Sequence, residues 1–135
     1  MSASLTIRGL RAERGGREII RGVDLDVASG EVCVLMGESG AGKSSILRIV
    51  AALDPFVSGS VTVGTTSLTP GPVPPQSALG LLRSKVGMVF QMHALFEHLT
   101  AMANVELAPV HVHGWDAARA HARAAELLEI GRAHV

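Results

Sequence analysis

Apolar and polar residues alternate at the start of the chain in a way that predicts a hairpin of two antiparallel strands. Apolar side chains recur at about every second position over residues 4–10 and again over 18–27, which is the period of a half-buried strand. The charged segment between them contains Gly15 and Gly16, and such a glycine pair favours a turn. We therefore expect two strands joined near this turn.

Two unbroken apolar runs predict strands of another kind. Residues 32–36 and 86–90 have almost no polar side chains, which is typical of strands buried on both faces of a parallel sheet. In such a strand Cys33 would be an inert core thiol. A short strand is also predicted over 60–63, followed by a loop over 65–76.

Helical periodicity follows the first apolar run and returns after the second. Apolar residues of 45–53 lie on one broad helical face, and this helix should end before Pro55, because the residue that precedes a proline avoids helical geometry. A second helix is predicted over 101–107 and should end before Pro109.

A last helix is predicted over residues 117–130. Asp116 is a suitable N-cap for it, and Gly131 is a suitable stop. Trp115, just before the cap, is expected to be an anchoring or partner-facing apolar residue rather than a ligand platform.

Composition excludes several classes of protein. Apolar residues make up 47% of the 135 and charged residues 18%, so the chain is not a disordered tail. Lys+Arg and Asp+Glu are both 12, which argues against nucleic-acid binding by bulk charge. One cysteine excludes an internal disulfide and a cysteine-based zinc site. With no signal peptide or membrane span predicted, we expect a cytoplasmic protein.

The histidines do not form a metal-binding pattern. Only His111 and His113 have a spacing that suits metal ligation, and only on a strand. We expect surface or helix-end positions for all six, which are His93, His98, His111, His113, His121 and His134.

Residues 37–44 read Gly-Glu-Ser-Gly-Ala-Gly-Lys-Ser and match the phosphate-loop pattern G-x-x-x-x-G-K-[ST]. The glycines let successive backbone N–H groups point inward at phosphate oxygens, and the next helix adds its own N–H groups and positive dipole end. Lys43 would reach the β- and γ-phosphates, and the Ser44 hydroxyl would ligate Mg²⁺. A predicted buried strand before the pattern and a helix after it favour this interpretation over a glycine-rich turn with an exposed lysine.

With this loop in place, the sequence resembles the ATP-binding subunit of ABC transporters along nearly its whole length. The sequence around Gln91 is most similar to that of ATP-binding subunits of importers of the polar-amino-acid type. The segments that carry the resemblance are 30–48, 58–63, 83–91, 95–100 and the stretch from Asn104 to Pro109.

The resemblance implies an α/β fold, a P-loop NTPase of the ABC ATPase type. It would have an N-terminal antiparallel β-subdomain and the first part of the parallel-sheet core, truncated. We expect one partial ATP-binding domain over 1–135. Its parts would be an antiparallel β-subdomain over 1–30, the phosphate-loop strand and helix with the following strand over 31–64, a proline-rich loop over 65–85, and the Q-loop strand with the start of a helical subdomain over 86–135.

ATP and Mg²⁺ are the cofactors that the resemblance implies. Gln91 would be the Q-loop glutamine, which in the family reaches Mg²⁺ and the attacking water and relays the nucleotide state to the membrane subunit. The metal would thus contact Ser44 and Gln91. The residues expected to hold ATP are Gly37, Glu38, Ser39, Gly40, Ala41, Gly42, Lys43, Ser44, Ser45 and Gln91.

The implied partners are a transmembrane permease and, in the full-length family, a second ATP-binding subunit, with no nucleic acid. The location would be peripheral, on the cytoplasmic face of the inner or plasma membrane. Met92, Leu95, Phe96 and Leu99 would either line the surface that grips a coupling helix of the permease or simply pack in the core, and both alternatives stay open.

The sequence departs from the family where the adenine should stack. The family places an aromatic residue near the turn at Gly15, but no aromatic residue precedes Phe56 here. Arg14 or Arg17 could stack instead through the plane of its guanidinium group. We expect Arg14→Tyr to tighten ATP binding.

The groups that complete an ABC ATPase do not occur in these 135 residues. They are the signature loop Leu-Ser-Gly-Gly-Gln, the Walker B strand with its Asp-Glu pair, and the switch histidine. Asp54 follows the apolar residues 49–53, but that run belongs to a predicted helix, so we interpret Asp54 as a helix end. Phosphoryl transfer needs the metal held on a second side and a base for the water. We therefore do not expect this chain alone to hydrolyse ATP, and whether it is an enzyme stays open.

The chain therefore resembles the N-terminal portion of such a subunit. Two alternatives to a working ATP-binding component stay open. One is a non-functional fragment or frameshifted product with weak or no nucleotide binding. The other is a small kinase, for which the sequence shows neither an acidic metal ligand nor an acceptor site.

Overall fold

The computed structural model describes residues 3–132 and divides the chain into two compact units, with the boundary between Met88 and Val89. The surface position expected for His134 lies outside the described residues. Among those residues, no helix is both long and apolar enough to cross a membrane.

The first unit contains a four-stranded antiparallel sheet in the order β2-β1-β3-β4. The predicted hairpin is confirmed and its strands are longer than expected, because only Gly15 and Gly16 remain in the turn. The predicted strand near residues 60–63 is also confirmed, while β4 lies within the predicted loop. The strands are β1 (Ala3–Arg14), β2 (Arg17–Ala28), β3 (Ser58–Val63) and β4 (Thr66–Leu68).

Helix α1 (Lys43–Val50) packs on this sheet through Ile46 and Ile49. The helix ends three residues before the predicted position, because Ala52 takes a left-handed conformation with φ of 51° and turns the chain ahead of Pro55. A short 3₁₀ turn and the four-residue helix α2 close the core. The core residues are Ile7, Leu10, Ala12, Ile20, Ile46, Ile49, Ala52, Phe56, Val61, Leu68, Leu79 and Leu82, the 3₁₀ turn is Gln76–Ala78, and α2 is Gly80–Arg83.

The two strands predicted from unbroken apolar runs are wrong for the part of the chain that the structure describes. Residues 32–36 and 86–90 have no regular secondary structure, with Val32 88% exposed and Val89 92% exposed. A strand of a parallel sheet needs neighbours for its N–H and C=O groups, and residues 3–132 supply none to these runs. For the same reason Cys33, expected to be a buried core thiol, is exposed.

The second unit is built on two helices that pack against each other, α3 (Ala101–His111) and α4 (Ala117–Arg132). Both exceed their predicted ends. Pro109 lies inside α3 instead of ending it, since the last turn is still closed by a hydrogen bond from the Val112 N–H to the Ala108 carbonyl at 2.9 Å. Gly131 likewise lies within α4 rather than stopping it.

The predicted cap of α4 is confirmed. The Asp116 carboxylate accepts a hydrogen bond from the Arg119 N–H at 2.9 Å, which satisfies one of the free donors at the start of the helix.

Candidate phosphate-binding site

The phosphate loop takes the turned conformation that its glycines permit. Gly40 and Gly42 have φ angles of +82° and +91°, in the left-handed region that other residues avoid. The Ala41 N–H donates to the Glu38 carbonyl at 3.2 Å and closes the turn. Gly42 also lies against β2, because a Cβ atom there would be 2.7 Å from the Ile19 carbonyl oxygen. The loop is thus fixed to the sheet at its last glycine.

Helix α1 begins directly after the loop and presents an uncapped N-terminus. Gly42 is the N-cap, no side chain accepts a hydrogen bond from the first turn, and that turn contains no acidic residue among those described. The N–H groups of residues 43–45 therefore lie at the positive end of the helix dipole, which is an arrangement suited to an anion.

The Lys43 ammonium is folded back over the loop. Its Nζ atom donates hydrogen bonds to the carbonyl oxygens of Gly37 at 2.8 Å and Glu38 at 2.5 Å. An ammonium has three N–H donors, so one remains for a phosphate oxygen after these two contacts. The lysine is consequently held in place before any anion arrives.

The two serines of the motif differ in exposure. Ser44 is exposed, whereas Ser45 is only 7% exposed. Mg²⁺ in nucleotide sites takes one or two protein ligands and completes its shell with phosphates and water, so the single hydroxyl of Ser44 is compatible with this role. Among the described residues no group of three His, Cys, Asp or Glu side chains could hold a metal.

A cavity opens beside the loop and reaches the β1–β2 turn. Lys43, Ser44 and Arg14 all line it. Arg17 lines a separate cavity, together with Ser39 and Ala41 of the loop. Of the two arginines that the sequence proposed for base stacking, Arg14 is therefore the one that shares a cavity with the lysine.

Sequence reasoning missed the contacts of Asp54. Its carboxylate accepts two hydrogen bonds from Arg48, both at 2.8 Å, and a third from Arg14 at 2.9 Å. The Arg48 guanidinium, and to a lesser extent that of Arg14, holds the pKa of Asp54 below its usual range. Arg48 and Asp54 lie six residues apart at one helix end, which was a signal for this pair, but Arg14 is forty positions away in sequence.

Gln91 belongs to the second unit, where it is exposed in a stretch without helix or strand. Its role at the nucleotide stays a prediction. For three of the residues after it the structure contradicts the alternative of core packing, since Met92, Leu95 and Phe96 are exposed and do not pack in a core of the described residues. Leu99 is half-buried.

Asn104 holds the segment that follows these exposed residues. Its Oδ1 atom accepts from the Phe96 N–H at 2.9 Å, and its Nδ2 atom lies 3.1 Å from the Phe96 carbonyl and 3.0 Å from that of Thr100. Thr100 caps α3 through its hydroxyl, which accepts from the Ala103 N–H at 3.1 Å. One amide therefore fixes residues 96–100 to the start of α3.

The remaining candidate residues make local contacts in the second unit. His121 Nδ1 is 2.6 Å from a carboxylate oxygen of Glu106, so these two side chains link α4 to α3. The Arg119 guanidinium lies 3.9 Å from the centre of the Trp115 ring, a cation–π geometry. The anchoring or partner-facing role expected of the tryptophan stays a prediction.

Known proteins match this sequence over most of its length. Residues 20–134 match the protein family described as ABC transporter. The arginine transport ATP-binding protein ArtP of Escherichia coli K12 is 38% identical over 126 residues, covering 93% of this chain and 52% of ArtP. The glutamine transport ATP-binding protein GlnQ of the same strain is 39% identical over 114 residues, covering 84% of this chain and 46% of GlnQ.

Two further similarities extend the comparison. The sn-glycerol-3-phosphate import ATP-binding protein UgpC of Burkholderia pseudomallei is 35% identical over 133 residues, covering 96% of this chain and 34% of UgpC. The dimeric ATP-binding cassette MJ0796, solved in a post-hydrolysis state with ADP and Pi, has a TM-score of 0.78 and 27% identity, covering 95% of this chain and 57% of the other. The chain spans about half or less of the length of these curated relatives.

These similarities confirm the predicted fold class, an α/β P-loop NTPase of the ABC ATPase type truncated relative to the full cassette. They also confirm the resemblance to ATP-binding subunits of polar-amino-acid importers, through ArtP and GlnQ. With the match over residues 20–134, the chain belongs to the ABC transporter family.

Proposed function

We propose that this chain binds Mg-ATP as part of the ATP-binding component of an ABC importer. The observation that carries the proposal is the position of the Lys43 ammonium, which is hydrogen-bonded over the loop at the uncapped start of α1. A cation and a set of free N–H groups that converge on one point form a site for a phosphate chain.

Each part of the loop has a distinct task in this proposal. The backbone N–H groups of the loop and of residues 43–45 orient the phosphates, and Lys43 donates its remaining N–H to the β- or γ-phosphate. The Ser44 hydroxyl supplies one oxygen ligand to the metal. Gln91 keeps the role of Q-loop glutamine that the resemblance to the family implies. Bound ATP supplies a phosphate chain whose hydrolysis drives transport in the complete system.

The partners belong to the proposal as well. ArtP, GlnQ and UgpC are named as transport or import ATP-binding proteins, which supports a membrane permease as partner and a peripheral position on the cytoplasmic face. The exposed residues Met92, Leu95 and Phe96 offer apolar area for such a partner. The dimeric state of MJ0796 supports a second ATP-binding subunit. Hydrolysis by this chain alone is not part of the proposal, because it shows no Walker B pair or signature loop.

The test is a calorimetric titration of the purified chain with Mg-ATP. Lys43→Ala should weaken binding by about 10- to 150-fold, the size of one charged hydrogen bond of roughly 1.5–3 kcal/mol. The only other lysine of the chain provides a matched control. Lys85→Ala removes the same charge at a residue that does not line the cavity and should leave the dissociation constant within a factor of two.

The alternative function predicts another result. If the chain is a non-functional fragment, Mg-ATP will bind weakly or not at all, and neither substitution will matter. Equal losses for the two lysine variants would also contradict the proposal, because they would show a non-specific effect of charge. A melt of each variant, followed by circular dichroism, shows that it is folded under the conditions of the titration.

A further inference from the structure

The Asp54 carboxylate joins two elements that are far apart in the sequence. Arg48 belongs to α1 and Arg14 lies at the end of β1, next to the turn, and both donate to the same carboxylate at 2.8–2.9 Å. The Asp54 side chain is only 19% exposed, so water competes little for these bonds. The bidentate contact with Arg48 joins Asp54 to the last turn of α1. The bond to Arg14 is an additional contact, and Arg14 lines the cavity beside the phosphate loop.

Arg14 forms part of the wall of that cavity, which Lys43 and Ser44 also line. If phosphates occupy the loop, the nucleoside part of the ligand is within reach of Arg14, because Arg14 and the loop line the same cavity. The Arg14 side chain remains 63% exposed although it is paired, so a face of the guanidinium group is available to a ligand. Asp54 also pairs with Arg48, so the three side chains together keep one net positive charge. The contact with Asp54 fixes the plane of the Arg14 guanidinium, and such a planar surface is suited to stacking on a nucleoside base.

We propose that Asp54 is a positioning residue of the nucleotide site, which holds the Arg14 guanidinium in place as the wall that the nucleoside part of the ligand contacts. The inference rests on the proposed function, since it assumes that the loop takes the phosphates. An unpaired arginine would lose rotamer freedom on each binding event, and the Asp54 contact removes this cost in advance.

Two ligands separate the nucleoside contribution from the phosphate contribution. Mg-ATP reports both, and Mg-tripolyphosphate reports the phosphates alone, so the ratio of their dissociation constants measures the contact with the nucleoside. Asp54→Asn should reduce this preference for ATP by about three- to tenfold, as expected for one side chain that is no longer preorganised. Binding of tripolyphosphate should stay equal or become tighter, because the local charge becomes more positive.

A double-mutant cycle shows whether Asp54 acts through Arg14. Arg14→Ala should reduce the same preference, and the double variant Arg14→Ala/Asp54→Asn should reduce it no further than Arg14→Ala alone. A general loss of structure would weaken both ligands together and leave their ratio unchanged. Additive losses in the double variant would overturn the inference, as would an unchanged ratio in Asp54→Asn.

A measurement on the unmodified chain covers the case in which Asp54→Asn does not fold. In the ligand-free protein the Arg14 side-chain nitrogens should be ordered on the nanosecond timescale by ¹⁵N relaxation, whereas those of exposed Arg17 should be mobile. A mobile Arg14 would overturn the inference. Failure of the proposed function is distinct from these outcomes, since the unmodified chain would then bind neither ligand, and the inference would be refuted with it.

Discussion

Gly42 is the point at which the phosphate loop contacts the sheet, and Gly42→Ala should therefore destabilise the first unit strongly. The added Cβ would lie 2.7 Å from the Ile19 carbonyl oxygen, which belongs to the backbone of β2 and cannot move aside as a side chain can. The φ angle of +91° adds a second cost, since alanine rarely adopts it. Both effects act where α1 begins.

A matched variant separates these two costs. Gly40 has a similar φ of +82°, but a Cβ there meets nothing within 4 Å. Gly40→Ala should therefore cost only the conformational strain, about 1–2 kcal/mol. Gly42→Ala should cost the same strain plus about 1–3 kcal/mol for forcing a methyl group into a filled space. The expected sum is roughly 2–5 kcal/mol, which is a large part of the stability of a small unit.

Urea denaturation followed by far-UV circular dichroism measures the difference. The single tryptophan, Trp115, lies in the second unit and is not a direct reporter of this loop. The free energy of unfolding should fall at least 1 kcal/mol further in Gly42→Ala than in Gly40→Ala. Equal losses in the two variants would refute the reasoning, because they would show that the contact with Ile19 relaxes without cost.

Three other expectations concern single contacts. Arg14→Tyr should tighten Mg-ATP binding, because an aromatic ring gives the base a larger stacking surface, and a titration that shows an unchanged or weaker dissociation constant would contradict it. Asn104→Ala should increase hydrogen exchange at the Phe96 amide about 5- to 150-fold by removing roughly 1–3 kcal/mol of local hydrogen bonding. The matched variant Thr100→Ala should instead increase exchange at the Ala103 amide, and equal exchange at Phe96 in both variants would contradict the role of Asn104 in holding this segment. Arg48 lowers the pKa of Asp54 below its ordinary value of 3.8, so the ion pair stabilises the fold above that pH and ceases to do so as the pH falls through the lower, folded-state pKa. The difference in unfolding free energy between the unmodified chain and Asp54→Asn should therefore shrink below pH 3.8. A difference that is constant from pH 2 to 7 would exclude the ion pair as its source.

Local patterns were enough to predict the elements that depend on near neighbours. The alternation in 4–27 predicted the hairpin, because a period of two residues distinguishes the two faces of a strand. The motif in 37–44 predicted a phosphate loop followed by a helix, since the glycines and the helix start determine that geometry locally. Asp116 was identified as a cap for the same reason.

Elements that depend on distant partners could not be predicted in this way. The apolar runs 32–36 and 86–90 have the composition of buried strands, but a strand forms only where another strand accepts its hydrogen bonds. The structure of residues 3–132 offers no such neighbour, so both runs are irregular and largely exposed. Composition reports what a segment can bury, whereas the neighbouring elements decide whether it is buried.

The candidate site shows the same division. The sequence by itself predicted which residues would face an anion, because the loop and the helix N-terminus are contiguous. Only the tertiary structure decided that Arg14, rather than Arg17, shares the cavity with Lys43. It also decided that Asp54 holds this arginine across forty residues of sequence. Such a contact depends on how α1 packs on the sheet, and no local period or motif encodes that packing.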